Sequence, residues 1–489
     1  MQEKITEIFL RKKNGGGIPV ALIFPNEYAA AISNLGFNAA FAAFEEYGFS
    51  CERFFYSNGE VRSLSGKRLR DFKVWAFSIS FEMDVLNIFD IFAHEKVEIL
   101  AEKRKGNPFV IFGGAMTFFN PNAFWHVADL ILHGEIEGMG NVLENLRDTL
   151  KAQWSEILEK MVKFSDVSVP VIGKKAVNLA KLRNLSMSLG SSVFLSEEGV
   201  FGKTYLIEIE RGCIHRCSFC VASKIYNIVR FMPLEEVKKR ISEAIDYTDK
   251  VGLVASSVSD YPYLMDLLVW LKDKVKFLSV SSLRLDAISV ELVKILESMG
   301  DREITFAPEA GTQKMRDLLN KEIDEEDIKR AIQNVKMAGL RRVKMYFIYG
   351  LPDEDQSDLN GIIDVVKMVK DEGIIPYVSL NPLIPKPFTN FENFQMRSSK
   401  DLKERERYLQ SNLGRIGVKS KFESVRLSRI QWVLATANEE ISYELARRNE
   451  RLKFIQDIER EWQAEPVWKY IDISWKNAEF GELKILKEG

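Results

Sequence analysis

The stretch "RGCIHRCSFC", Arg211–Cys220, holds three of the four cysteines in 489 residues, spaced C-x3-C-x2-C as Cys213, Cys217 and Cys220. Only Cys51 lies elsewhere. Four thiols cannot frame a chain of this length with disulfides, so a reducing cytoplasm is the expected setting. Thiolates this close along one loop converge on one metal centre. A structural zinc site wants a fourth protein ligand, and although His215 lies inside the loop, no second cysteine pair accompanies it. Iron–sulfur clusters are usually held by four thiolates, so three would leave one iron open to an outside ligand. Incidental thiols or a small zinc knuckle are the plainer alternatives.

The chain around this loop reads as α/β. "YLIEIE" leads into the loop, and "KVGLVAS", "KFLSVSS", "EITFAPE", "RVKMYFIYG" and "IPYVSLNPL" follow as strands separated by amphipathic helical stretches. Six βα units in series over 204–397 predict an open (β/α)6 partial TIM barrel rather than a closed one. Upstream, "IPVALIFP", "FSCERFFY", "KVWAFSISF", "PFVIFGG" and "ADLILHGE" alternate with helical segments and predict a Rossmann-like domain over 18–150. Its small residues at strand ends, Gly113–Gly114 and Gly134, lie where such folds bind ligands. Residues 1–17 read as an N-terminal extension, 151–203 as a linker and 398–489 as a charged, largely helical C-terminal region.

Hydrophobic residues make up 46%, charged residues 28%, and the net charge is −2, which suits a globular protein without a global signal for nucleic acid or membrane. The N-terminal "MQEKITEIFLRKKNGGG" lacks the apolar core of a signal peptide, and no apolar run approaches a membrane span. A cytoplasmic protein without a membrane partner is expected.

The cysteine spacing, with Phe219 just before the last cysteine, resembles the radical S-adenosylmethionine (SAM) superfamily. The resemblance implies a 4Fe–4S cluster on Cys213, Cys217 and Cys220, with SAM on the fourth iron. It also implies one-electron cleavage to a 5′-deoxyadenosyl radical that abstracts hydrogen from an unreactive carbon. "RGCIHRCSFCVASKIYNIVR", "FAPEAGTQKMRDLLNK", "VKMYFIYGLPDE" and "PLIPKPFTNF" resemble an uncharacterised bacterial group of that superfamily whose N-terminal domain is similar to cobalamin-binding domains. SAM, cobalamin and an electron donor such as flavodoxin or ferredoxin are the partners implied. The same resemblance puts Ser257 and Asp260 of "ASSVSDYP" at the methionyl ammonium, and Ser282 and Arg284 of "VSSLRLD" at the ribose hydroxyls and the carboxylate. Glu309 of "FAPEAG" reads as a buried acid at the barrel mouth, and Gly350–Leu351 as a turn that lets backbone approach adenine.

The best-known cobalamin domains carry a histidine loop, Asp-x-His-x-x-Gly, after the first strand. This chain has "FPNEYAAAISNLG" there, so any cobalamin is expected without a protein histidine below it. The functions weighed are a radical enzyme, with cobalamin-assisted methyl transfer as one form, and a degenerate cluster protein that docks RNA or ribosome. The second rests on Arg415, Lys419, Lys421, Arg426 and Arg429 near Trp432 in the C-terminal region.

Overall fold

The run Ile18–Phe24 is apolar on both faces and buried from Val20 onward, as a strand covered by helices on each side must be. In the computed structural model, which describes residues 5–11, 16–281 and 283–463, it is the third strand across a seven-stranded sheet. The order across that sheet is Glu60–Ser63, Phe49–Ser57, Ile18–Phe24, Val74–Ser78, Phe109–Gly113, Leu130–Leu132 and Val167–Ser168. The five inner strands are parallel and the two edges antiparallel. In chain order the parallel strands therefore run 2-1-3-4-5. The helix Leu35–Glu46 starts where Asn34 accepts the Phe37 amide at 2.9 Å and packs Phe37, Phe41 and Phe44 onto the sheet. Each fully buried phenylalanine contributes about 1.5–3 kcal/mol.

The chain divides into two compact units. One comprises the residues up to Ile207 and the chain from Val433; the other is Glu208–Trp432. The expected linker and N-terminal extension both belong to the first. Val167–Ser168 supplies its edge strand, and Trp154 donates its indole hydrogen to Asp129 at 2.8 Å. Ile8–Phe9 pairs with Phe194–Leu195, while Glu7 binds the Arg53 guanidinium, which lies 4.0 Å from the Phe194 ring. Apart from the helix Trp154–Met161, these segments lack a long periodic pattern because they pack as short strands and turns.

Asp129 also pairs with Arg104 at 2.8 Å, both side chains fully buried, and accepts the Val110 amide. Arg104 spends its remaining donors on the Pro108, Ile99 and Val127 carbonyls. A buried pair so fully satisfied fixes the sheet's far half, and removing one partner costs about 3–5 kcal/mol.

In the second unit, Ile209 donates to Val254, laying the chain beside the strand Lys250–Val254, which is parallel to Phe277–Val280. A parallel bridge from Leu283 to Phe306 leads to a second array, Ile304–Glu309, Arg342–Tyr349, Ile375–Pro382 and Lys419–Phe422, parallel throughout. The last strand comes from the region expected to be a helical tail. Its four residues are too short and too polar to announce themselves. Helices Glu325–Ala338 and Gln356–Asp371 open on reciprocal caps, Asp324 with Asp327 and Asp355 with Asp358.

Candidate functional site

The short antiparallel pair Glu210–Arg211 and Arg230–Phe231 delivers the chain into the cysteine loop. Two neighbouring loops clamp it. Ser218 donates its amide to the Leu319 carbonyl at 2.8 Å and accepts from the Asn390 amide at 2.9 Å. Asn320 donates to the Arg216 carbonyl at 3.1 Å, and Ser223 caps the Cys220 carbonyl at 3.0 Å. Phe219 seats in an apolar cluster with Leu319, Leu351, Leu383 and Phe391, which sets the loop against the ends of two later strands. Among the described residues, five of the eight non-glycine residues at positive φ belong to this unit: Glu309, Asn320, Glu322, Asp353 and Phe388. Such strain gathers where surrounding structure over-determines a site.

Cys217 is buried and its two partners half-buried. Burial pushes the Cys213 thiol up to about 12, with the Glu210 carboxyl and the other two sulfurs adding and the His215 amide opposing. Burial also raises Cys217, partly offset by the Lys321 ammonium. Left alone, the Cys213 and Cys217 thiols keep their protons; a bound metal deprotonates a coordinating thiol outright. Among the described residues no three His, Cys, Asp or Glu side chains stand close enough to share a single ion.

Around the thiols the charges are arranged in pairs. Lys321 binds Glu309 at 3.0 Å, both nearly buried, and its charge reaches Cys217. Arg284 forks onto Asp286 at 3.0 and 3.1 Å and also donates to the Lys321 and Glu322 carbonyls. Asp260 accepts from His215 Nε2 at 2.9 Å, and His215 Nδ1 lies 3.6 Å from Glu322. Burial raises the Asp260 carboxyl, but its bonds to His215 and Ser257 hold it below the usual range. Ser257 is buried, its hydroxyl 3.2 Å from that of Ser259. Ser282 lies outside the described residues.

The structure thus brings Cys217, Arg284, Glu309 and Lys321 together, and Cys213, Ser257 and Asp260 beside them. It also revises three expectations. Asp260 is engaged by His215 and Arg284 by Asp286. Gly350 sits at φ 78°, where a Cβ would strike the Leu402 side chain at 2.6 Å, so its freedom serves a turn packed on helix Ser399–Arg415. Leu351 is fully buried in the Phe219 cluster rather than open to a ring. Glu210 was missed altogether. It is 2% exposed, its carboxyl oxygens lack a well-formed hydrogen bond, and burial with the nearby Asp260 charge pushes it up to about 9, the Ser257 amide opposing. The stretch "IEIE" gave no sign of it, since alternation places Glu208 and Glu210 on the same side of the chain, opposite Ile207 and Ile209.

Arg429 and Trp432, part of the RNA-docking alternative, are both buried, and Arg429 donates to the Met396 and Arg397 carbonyls. They offer no stacking platform to a nucleic acid.

The Radical SAM superfamily profile matches residues 207–383, and the profile described as Radical SAM proteins, N-terminal, matches residues 45–170. Uncharacterized protein MJ0966 of Methanocaldococcus jannaschii is 32% identical over 432 residues, covering 86% of this chain and 89% of that one. The chain belongs to the radical SAM superfamily. Uncharacterized protein MJ1620 of the same organism is 20% identical over 205 residues, covering 38% of this chain and 40% of its own. Among solved structures, the cobalamin-dependent SAM radical enzyme OxsB, with aqua-cobalamin and SAM bound, superposes with a TM-score of 0.52, covering 91% of this chain and 72% of that one. At 12% identity this likeness is one of fold. As a radical SAM enzyme the protein uses a 4Fe–4S cluster, SAM and an external reductant. Among the described residues no helix is long and apolar enough to cross a membrane.

Proposed function

We propose that Cys213, Cys217 and Cys220 hold the 4Fe–4S cluster at the mouth of an open (β/α)6 partial barrel, and that the enzyme modifies an unreactive carbon of its substrate. The observation that carries this reading is the clamped loop: Leu319, Asn320 and Asn390 bind Ser218 and Arg216 between the three cysteines, and no fourth cysteine lies in the loop. When bound, the cluster supplies one electron that breaks a sulfonium carbon–sulfur bond of SAM. The chain's own residues position and shield. Ser257 and Glu210 present acceptors to the methionyl amine, with Asp260 held behind them by His215. Arg284 and Lys321 place positive charge near Cys217, offsetting the negative charge of thiolates. Phe219 and Leu351 close the loop against water.

Cobalamin is proposed as a second cofactor of the first unit, for methyl transfer. Support comes from the strand order 2-1-3-4-5, which places a ligand crevice between Ile18–Phe24 and Val74–Ser78, and from the likeness of fold to OxsB. At that crevice Asn26 donates to Asp84 at 2.8 Å and Asn34 to Ser80 at 3.2 Å, a polar set suited to amide side chains. A histidine-ligated form does not fit. His133 is fully buried, with Nδ1 at the Thr117 carbonyl and Nε2 at Ser168 Oγ, both 2.8 Å. Burial lowers it to about 4, so it stays neutral and occupied.

The test is anaerobic reconstitution, metal analysis and reduction in the presence of SAM, with flavodoxin or ferredoxin as donor. About four irons per chain and formation of 5′-deoxyadenosine are expected, with S-adenosylhomocysteine as well where cobalamin takes part. A fully loaded protein that releases neither nucleoside over hours would overturn the proposal.

A further inference from the structure

The four parallel strands of the second array bury one face and leave the other half-open. Val343, Met345, Phe347 and Tyr349, with Val378 and Leu380, are fully buried. Helix Gln356–Asp371 lies over that face with Leu359, Ile362, Val366 and Val369. Successive side chains of a strand point to opposite sides, so the half-open residues between them share the other face. The register then fixes two rows across it. Lys344 stands beside Tyr377, which stands beside Lys419; Tyr346 stands beside Ser379, which stands beside Lys421.

This open face is cationic. The only acid in the four strands is Glu309, and Lys321 already binds it. Among the described residues no ion pair reaches Lys344, Lys419 or Lys421; Lys344 has the Tyr346 ring 4.9 Å away. Lysines on an edge strand can serve merely to deter pairing with another chain, and Lys419 and Lys421 are on the edge. Lys344 is not. It lies two strands inward, half-buried, where deterrence has no use and an ammonium without a counter-charge costs stability.

We infer that this face is the substrate's anion-binding surface, with Lys344, Lys419 and Lys421 neutralising a phosphate or carboxylate group and Tyr346 and Tyr377 flanking it. As a substrate pocket it rests on the radical SAM reading above. The distance adds a length requirement. Lys344 and Tyr346 precede Gly350 by six and four residues along one strand, so the rows lie about 20 and 13 Å from the strand ends at roughly 3.3 Å per residue. The substrate is therefore elongated, its anionic group on the order of 10–20 Å from the carbon that reacts.

Lysine acylation with acetic anhydride, read by mass spectrometry on metal-free protein, tests the site without cluster or turnover. Inorganic pyrophosphate or tricarballylate is expected to slow labelling of Lys344, Lys419 and Lys421 at least fivefold. Lys239 and Lys276, whose side chains are 66% and 85% exposed, should be unaffected. Whichever anion protects at the lower concentration assigns phosphate or carboxylate. Lys344→Gln should raise the protecting concentration about tenfold, and Lys344→Arg should restore it. Uniform protection of every lysine would mean an adventitious ion only and would overturn the site, as would unchanged protection in Lys344→Gln. An RNA oligonucleotide that shields Lys419 and Lys421 but leaves Lys344 reactive would move the surface to the edge strand and also refute it. Since no metal is needed, failure here is separable from failure to assemble the cluster.

Discussion

The strand-end edges of the two units solve the same geometric problem differently. In the first, the chain fills much of its own edge: Gly134, at φ 119°, lies so close to Ala180 that a Cβ would come within 2.3 Å of that carbonyl, and His133 has both ring nitrogens bonded. In the second, the edge keeps unfinished chemistry. Three buried or half-buried thiols gather in one loop, Cys213 and Cys217 held protonated by burial, and Glu210 is buried without a good partner. Where the chain satisfies its own polar groups, as around His133 and Gly134, stability is gained and that stretch of the edge is closed to a ligand. Where it leaves them poised, stability is given up to a site.

The largest expected effect separates these roles. Replacing Cys213, Cys217 and Cys220 together by Ala should reduce iron from about four per chain to none and abolish nucleoside release, while circular dichroism and the melting temperature stay near those of the metal-free parent. A variant that unfolds instead would show that the loop holds the fold. Asp129→Ala should do the converse. It leaves Arg104 buried and unpaired, so denaturant unfolding of the first unit should lose about 3–5 kcal/mol, with iron content unchanged. Equal stability would mean that water enters to accept from Arg104.

Asp84 falls between the extremes. Burial, with Glu82 adding and the Asn26 hydrogen bond opposing, pushes its carboxyl up to about 7. The native state then holds the proton longer than the unfolded chain, and its stability falls as pH rises from about 4 to about 7, then levels. Asp84→Asn should remove that slope, gaining on the order of 4 kcal/mol by pH 8 and little at pH 4. A gain that is the same at both values would contradict the assignment. The smallest effect belongs to Lys175→Ala. Its pair with Glu439 at 2.5 Å is partly exposed, so a change below about 1 kcal/mol is expected in thermal unfolding.

What was legible in the sequence follows from how far each feature reaches. Ile18–Phe24 and Ile375–Pro382 announce themselves through burial written into consecutive or alternating residues, and the cysteine loop through spacing. The segment around Trp154 and Val167–Ser168 gave no such sign, because its role depends on Asp129 and Leu132, which are distant in the chain. His215 was weighed only as a zinc ligand, since nothing local shows that Asp260 will accept from it. Arg429 and Trp432 looked like a nucleic-acid surface because composition cannot distinguish a buried arginine bonded to carbonyls from a free one.

The first unit is interrupted: its chain leaves at Ile207 and returns only at Val433. During synthesis, then, its helices Glu439–Arg447 and Arg451–Ile458 emerge after the whole intervening unit has been made. Until they do, Asn120 lacks the Ala435 and Ala437 carbonyls that receive its amide, and Asp90 lacks Arg451. At a ribosomal pace of about 5–20 residues per second, the sheet, whose strands all lie before Ile207, waits many seconds for its last helices. The second unit, continuous over Glu208–Trp432, leaves the ribosome meanwhile, so the unit that begins second in the chain is the first to be fully synthesised.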